Sequence, residues 1–198
     1  MIVMPLFNSS FESTIFSLVV LVWVLVELIF GGILPWLRHG RAKVKKSDNG
    51  SVILIRVLMF ASVLIAIFLA INNIAMLPDW FFYPGIGLMV VGIIVRLWAI
   101  LVLGRFFTLT VGVQKDQKVV DYGPYRFIRH PAYLGVFLIV IGIGFAVGSW
   151  VGILILLLMN GLAIGYRMYV EEKVLVSELG DDYIQYMKRT KRLIPFII

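Results

Sequence analysis

The side chains able to do chemistry fall in two short segments. The first, Asp121 to Gly135, reads DYGPYRFIRHPAYLG and holds three tyrosines, two arginines, one histidine and two prolines. The second is Arg167-Met168-Tyr169-Val170-Glu171-Glu172. An arginine presents a planar fork of donors that matches a carboxylate. A glutamate accepts hydrogen bonds from hydroxyls or an amine. Arg167 and Glu171 stand four apart, so on a helix they share a face. They are either a surface ion pair at a helix end or two groups with divided tasks. His130, set before a proline, is either a structural turn residue or part of a site. The chain has no cysteine, which excludes a disulfide, a thiolate metal site and a cysteine nucleophile. Two histidines are too few for a histidine-built metal cluster, so no metal is expected.

The elements that must carry these residues are membrane helices. Of 198 residues, 61% are hydrophobic, and the mean hydropathy is +1.00. That pattern predicts an all-α polytopic membrane protein. Five apolar spans are expected, over about 14–34, 51–71, 83–104, 132–147 and 151–169. Gly148-Ser149-Trp150 makes the last two a helical hairpin. Pro124 and Pro131 argue against a regular helix through the first segment, and Pro131 suits the first turn of the span that follows. Gly144, Gly148 and Gly152, and also Gly161 and Gly165, follow a small-xxx-small pattern that allows close helix contact. Beyond the last span, Gly180 and Asp181-Asp182 end one helix and start another, forming a C-terminal cytoplasmic helical segment.

Charge sets the orientation. Of the 18 lysines and arginines, five fall in 35–50, five in 105–131 and six from Arg167 onward. The N-terminus and the turns at 72–82 and 148–150 hold none. Five spans put all the basic segments on one side, so the positive-inside rule predicts an outside N-terminus and a cytoplasmic C-terminus. The net charge of +7 is read as attraction to anionic lipid headgroups rather than to nucleic acid. Arg96 and Glu27 lie within spans; such charges mark function or else pair with each other or a carbonyl.

The run Gly123-Pro124-Tyr125-Arg126-Phe127-Ile128-Arg129-His130-Pro131-Ala132-Tyr133-Leu134-Gly135, then Arg167-x-x-x-Glu171-Glu172, then Leu179-Gly180-Asp181-Asp182-Tyr183-x-x-Tyr186, then Arg192-Leu193-Ile194-Pro195-Phe196, resembles the isoprenylcysteine carboxyl methyltransferase family. These are integral membrane enzymes that use S-adenosylmethionine. The resemblance covers roughly 96–198, which divides the chain into generic N-terminal spans, 1–95, and a methyltransferase-like region, 96–198. It implies cofactor contacts from Gln117, Lys118, Val119, Val120, Tyr125, His130, Pro131, Ala132, Tyr133 and Glu171. It also implies that Arg167 holds the carboxylate of a lipidic or prenylated acceptor. The glutamate run is shorter here, and the extra N-terminal spans of larger members are missing.

Methyl transfer from a sulfonium to a carboxylate is an in-line displacement that needs no metal and no covalent enzyme intermediate. A carboxylate is already ionised at pH 7, so no general base is required. The protein's task is to position and desolvate. Two rivals make different demands. An amine acceptor, as on a phospholipid, needs a proton sink and gains nothing from Arg167. A non-enzymatic channel or scaffold would use Arg96 and Glu27 as path-lining charges.

Overall fold

A computed structural model describes residue 7 and residues 9–33, 50–108, 111–114 and 116–194. The basic loop expected at 35–50, apart from residue 50, and Pro195 and Phe196 of the motif lie outside the described residues. Among the described residues there is no strand. Helix α1 is Ser10–Val26, capped by the Ser9 hydroxyl and continued as a π-helical turn, Glu27–Ile33. Helices α2, Ser51–Ile71, and α3, Phe82–Leu103, follow. Then come α4, Pro131–Val147, α5, Trp150–Leu179, and a short α6, Asp181–Arg189. Four helices are long and apolar enough to cross a membrane, and α4 is a shorter apolar helix. The protein is an integral, multi-pass membrane protein.

The closest packing is α3 on α4, and the glycine spacing explains it. Gly85 and Gly92 on α3 meet Gly135 and Gly142 on α4, each pair seven residues apart. A Cβ on Gly92 would lie 2.7 Å from the Gly135 carbonyl oxygen, and one on Gly142 would lie 2.6 Å from that of Gly85. Backbone therefore touches backbone, which only glycine permits. The expected glycine stripes meet a mixed outcome. Gly144 sits under Ile153 and Leu156, and Gly152 faces Ala66 of α2, both closely. Gly161 and Gly165 have nothing within 4 Å of a Cβ, so that pair does not mediate a helix contact in this chain. They lie on a different face of α5 from Leu156, Ala163 and Ile164, which carry the contact with the core.

The α4–α5 hairpin turns at Gly148, whose φ of 82° suits glycine. Ser149 caps α5 by accepting from the Gly152 amide and donates its own hydroxyl to the Ile74 carbonyl. The turn between α2 and α3 is thereby tied to the hairpin tip, with Leu77 N–H donating to Gly148 and Trp150 N–H to Ala75. At this end α1 and α2 share an apolar cluster around Met89, Ile139 and Ile143. Helix α2 otherwise packs on α5 through Ala66, Leu156 and Ile164. Asn160 donates to the Ser62 hydroxyl there, giving both buried polar groups a partner inside the bundle.

Candidate functional site

The opposite end of the bundle holds both chemical segments. Gly123 begins a 3₁₀ turn, Gly123–Arg126, with φ 60° and Val102 so near that a Cβ would sit 3.0 Å from a methyl carbon. The turn buries Tyr125 and ends where the Phe127 and Ile128 amides donate to the Pro124 carbonyl. His130 then stands before Pro131, the first residue of α4, where a missing N–H costs nothing. The chain beyond α6 runs beside this segment. Arg129 N–H donates to Lys191 at 2.8 Å, His130 N–H to Arg192 at 3.1 Å, and Lys191 N–H to Phe127 at 3.3 Å.

Glu172 fastens these strands of chain together. Its carboxylate accepts from Arg129 Nε at 2.9 Å, pairs with His130 Nε2 at 3.2 Å and accepts from Arg192 Nη2. Arg129 also donates to the carbonyls of Met187 and Thr190, closing the end of α6. The arrangement gives a buried carboxylate several donors, the condition under which a buried charge is tolerated.

A second network crosses three helices. Arg167, buried on α5, donates from Nη1 to Ser51 Oγ at 2.6 Å and from Nε to the Tyr133 hydroxyl at 3.0 Å. Tyr133 in turn donates to Glu171 Oε2 at 2.6 Å. Arg167 and Glu171 are thus bridged through a tyrosine from α4. The surface ion pair considered above is excluded, because Arg167 is 4% exposed. The third group is Arg96, whose Nε and Nη2 grip both oxygens of Glu27 at 2.7 and 3.0 Å, while Nη1 donates to the Ala132 carbonyl at 3.2 Å. Both intramembrane charges are therefore paired, and they pin the π-helical turn after α1 to the first turn of α4.

These groups surround one cavity of about 410 Å³, within the range of roughly 300–1,000 Å³ usual for small-molecule sites. Of the residues expected from the resemblance, Gln117, Lys118, Val119, Val120, Tyr125, His130, Ala132, Tyr133, Glu171 and Arg167 line it. Pro131 does not; it is buried at the start of α4. The Gln117 side chain accepts from the Gln114 amide, so it also shapes its own turn. The His130 ring is held by Glu172 at the cavity edge. One wall is polar and aromatic, with Tyr183 and Tyr186 of α6 and with Tyr125, whose carbonyl accepts from the Tyr186 hydroxyl at 2.7 Å. The other is mainly apolar, from Trp23 of α1, Leu28 of the π-helical turn and Val52, Ile55 and Met59 of α2, with Arg56 of α2 adding a cation. Burial, with the Glu171 carboxylate nearby, raises the Tyr125 phenol; burial likewise raises Tyr183 and Tyr186. These rings stay neutral and offer stacking faces. Among the described residues no group of three metal-ligating side chains occurs.

Sequence reasoning missed Glu172 as a hub, and it missed Ser51. Glu172 had a legible signal: it is the only acid close in sequence to Glu171, and the basic segments around it had to be balanced. Ser51 had none, since a serine at a helix start reads as a cap.

Residues 85–177 match the isoprenylcysteine carboxyl methyltransferase family. The chain is 33% identical over 114 residues to the protein-S-isoprenylcysteine O-methyltransferase of Schizosaccharomyces pombe, covering 57% of this chain and 48% of that one. It is 26% identical over 166 residues to protein-S-isoprenylcysteine O-methyltransferase B of Arabidopsis thaliana, covering 80% and 82%. A solved structure of a eukaryotic intramembrane Ras methyltransferase superposes with a TM-score of 0.59 at 28% identity, over 72% of this chain and 51% of that one. The chain spans about half the length of the Schizosaccharomyces relative and of this structure.

Proposed function

We propose that this chain, which belongs through residues 85–177 to the isoprenylcysteine carboxyl methyltransferase family, transfers a methyl group from S-adenosylmethionine to the carboxylate of a lipidic acceptor such as a C-terminal isoprenylcysteine. The observation that carries the reading is the meeting of Arg167 and Glu171 of α5 with Tyr133 of α4 on one cavity with a polar end and an apolar end. A half-buried carboxylate beside Val119, Val120 and the rings of Tyr125 and Tyr183 fits a ligand that is cationic at one end and aromatic at the other. S-adenosylmethionine supplies a methyl group on a positively charged sulfur.

The residues divide the work. Glu171, oriented by Tyr133, accepts hydrogen bonds from the cofactor's polar groups. Arg167, with its Nε fixed on Tyr133, turns its guanidinium to the acceptor carboxylate. The acceptor needs no deprotonation, so neither His130 nor a tyrosine acts as a base. His130 and Ala132 shape the wall, Pro131 starts the helix behind them, and Gln117 to Val120 close it from the loop before the 3₁₀ turn. Desolvation of the two charged partners strengthens their mutual orientation. The site faces the cytoplasm, with the basic segments at 105–131 and beyond Arg167, which also meet anionic headgroups. The region 96–198 carries the cofactor half of the site.

Incubation of purified protein with methyl-labelled S-adenosylmethionine and an S-farnesyl-cysteine derivative tests this. A base-labile labelled methyl ester is expected, and at low acceptor concentration its formation falls sharply in Arg167→Lys because an ammonium cannot reproduce the fork. Base-stable methylation of an amine lipid, unaffected by Arg167→Lys, would replace a carboxylate acceptor with an amine.

A further inference from the structure

Helix α2 lies outside the family-matched segment, yet it reaches into the site at two levels. Ser51, its first residue, is fully buried, and its Oγ accepts from Arg167 Nη1 at 2.6 Å. Ser51 is not among the residues lining the cavity, and its contact with Arg167 links it to the site. Ile55 and Met59 do line the cavity, and so do Val52 and, one position round the helix from Ile55, Arg56. Ser51, Ile55 and Met59 are spaced by four, which puts them on one face at steps of about 6 Å. Read along α2, the face changes from the group that holds a guanidinium to an apolar wall running toward the bundle centre, where Met59 packs against the core around Val136 and Ile164. An amphipathic acceptor has the same order: a carboxylate, then a chain of increasing depth.

We propose that α2 is the acceptor-selecting helix: Ser51 is a positioning residue that sets the direction of Arg167, and Met59 ends the channel for the acceptor's apolar chain. This rests on the reading of Arg167 as the acceptor-carboxylate residue and extends it to acceptor choice. Nη1 is the far nitrogen of the guanidinium and Nε the near one, so anchoring Nη1 on Ser51 and Nε on Tyr133 fixes the plane of the group. Loss of the Ser51 hydroxyl removes one of the contacts that hold that plane and loosens it. The acceptor then loses a pre-formed partner, whereas Glu171 keeps its Tyr133 donor.

The test is steady-state kinetics of the full chain in detergent or nanodiscs with S-geranyl-, S-farnesyl- and S-geranylgeranyl-cysteine derivatives, alongside titration with S-adenosylhomocysteine. Ser51→Ala is expected to raise the acceptor KM roughly tenfold, the lower end of what a hydrogen bond to a charged group contributes. Its affinity for S-adenosylhomocysteine stays at the wild-type value, and Ser51→Thr restores the KM. In an Arg167→Lys background, Ser51→Ala adds little. Met59→Phe raises KM more for the geranylgeranyl than for the geranyl compound. If Ser51→Ala leaves the acceptor KM unchanged while Arg167→Lys raises it, α2 has no selecting role and the Arg167 reading survives. If Arg167→Lys leaves the acceptor KM unchanged, the Arg167 reading itself falls. Equal losses of acceptor and S-adenosylhomocysteine binding in Ser51→Ala, or a Met59→Phe effect independent of chain length, would each overturn the proposal.

Discussion

Tyr133→Phe is the sharpest perturbation of the site, because it deletes one oxygen and keeps the ring. That oxygen accepts from Arg167 Nε at 3.0 Å and donates to Glu171 Oε2 at 2.6 Å. Hydrogen bonds to charged groups contribute about 1.5–3 kcal/mol each. The two losses do not fall on the same function. Releasing Glu171 leaves a carboxylate free to turn from the cofactor, and about 1.5–3 kcal/mol corresponds to a weakening of roughly ten- to a hundredfold. Releasing Arg167 leaves the Ser51 contact on Nη1, so the acceptor side is only partly loosened. Packing is little changed, since the ring still lies against His130 at a centroid distance of 5.6 Å and against the core around Val136. Isothermal titration of S-adenosylhomocysteine should therefore show Kd raised at least tenfold, with a thermal midpoint within a few degrees of wild type. A Kd within twofold of wild type, in a protein that still melts cooperatively, would mean that Glu171 is not held for the cofactor by Tyr133. The assignment of that wall would then be refuted.

The C-terminal clasp makes a separable claim. Glu172→Ala leaves Arg129 with no carboxylate, and breaking a buried pair costs about 3–5 kcal/mol; with Arg192 39% exposed, about 2–4 kcal/mol is expected here. The loss should appear as faster hydrogen exchange over α6 and residues 190–194, before global melting. The glycine contacts predict opposite signs for one substitution. Gly92→Ala drives a methyl to 2.7 Å from the Gly135 carbonyl, and overpacking of about 1–3 kcal/mol should lower the thermal midpoint. Gly165→Ala meets nothing and should leave the midpoint unchanged or raised. Because the chain lacks cysteine, orientation is open to single-cysteine labelling. Asp79→Cys, in the turn before α3, should react with an impermeant maleimide only from outside, and Asp121→Cys only from the cytoplasmic side; the reverse pattern would invert the topology.

How much was legible in the sequence depended on range. Proline and glycine punctuation acts locally, so Pro131 at the first turn of α4, Gly148 at the hairpin and Gly180 between α5 and α6 could be placed from residue type alone. The apolar spans were as plain, being composition over twenty-odd residues. Glycine contact was not legible at the level of faces. Gly161-x-x-x-Gly165 and Gly144-x-x-x-Gly148 look alike, but only neighbours absent from the local sequence decide which glycines meet backbone. The closest contacts used a seven-residue spacing, Gly85 with Gly92 and Gly135 with Gly142, which repeats the same face every two turns. Arg96 and Glu27 could be suspected of pairing across 69 residues, because a lone charge in lipid is costly. Ser51 could not, since a hydroxyl has no such cost to announce it.

The placement of these networks puts part of the proposed site outside the family-matched segment. Arg167 and Glu171 sit one turn apart on α5, where an arginine and a glutamate would neutralise each other if left to their helix. Tyr133 from α4 bridges them, and Ser51 from α2 draws the other end of the guanidinium away. Two charges of opposite sign are thus held by separate partners while both face one cavity. That separation needs three helices, one of which lies before residue 85. A fragment beginning at residue 85 should therefore lose acceptor methylation even if its helices still insert. The loss should not be rescued by restoring α1 alone, and it should be relieved when α2 is supplied as well.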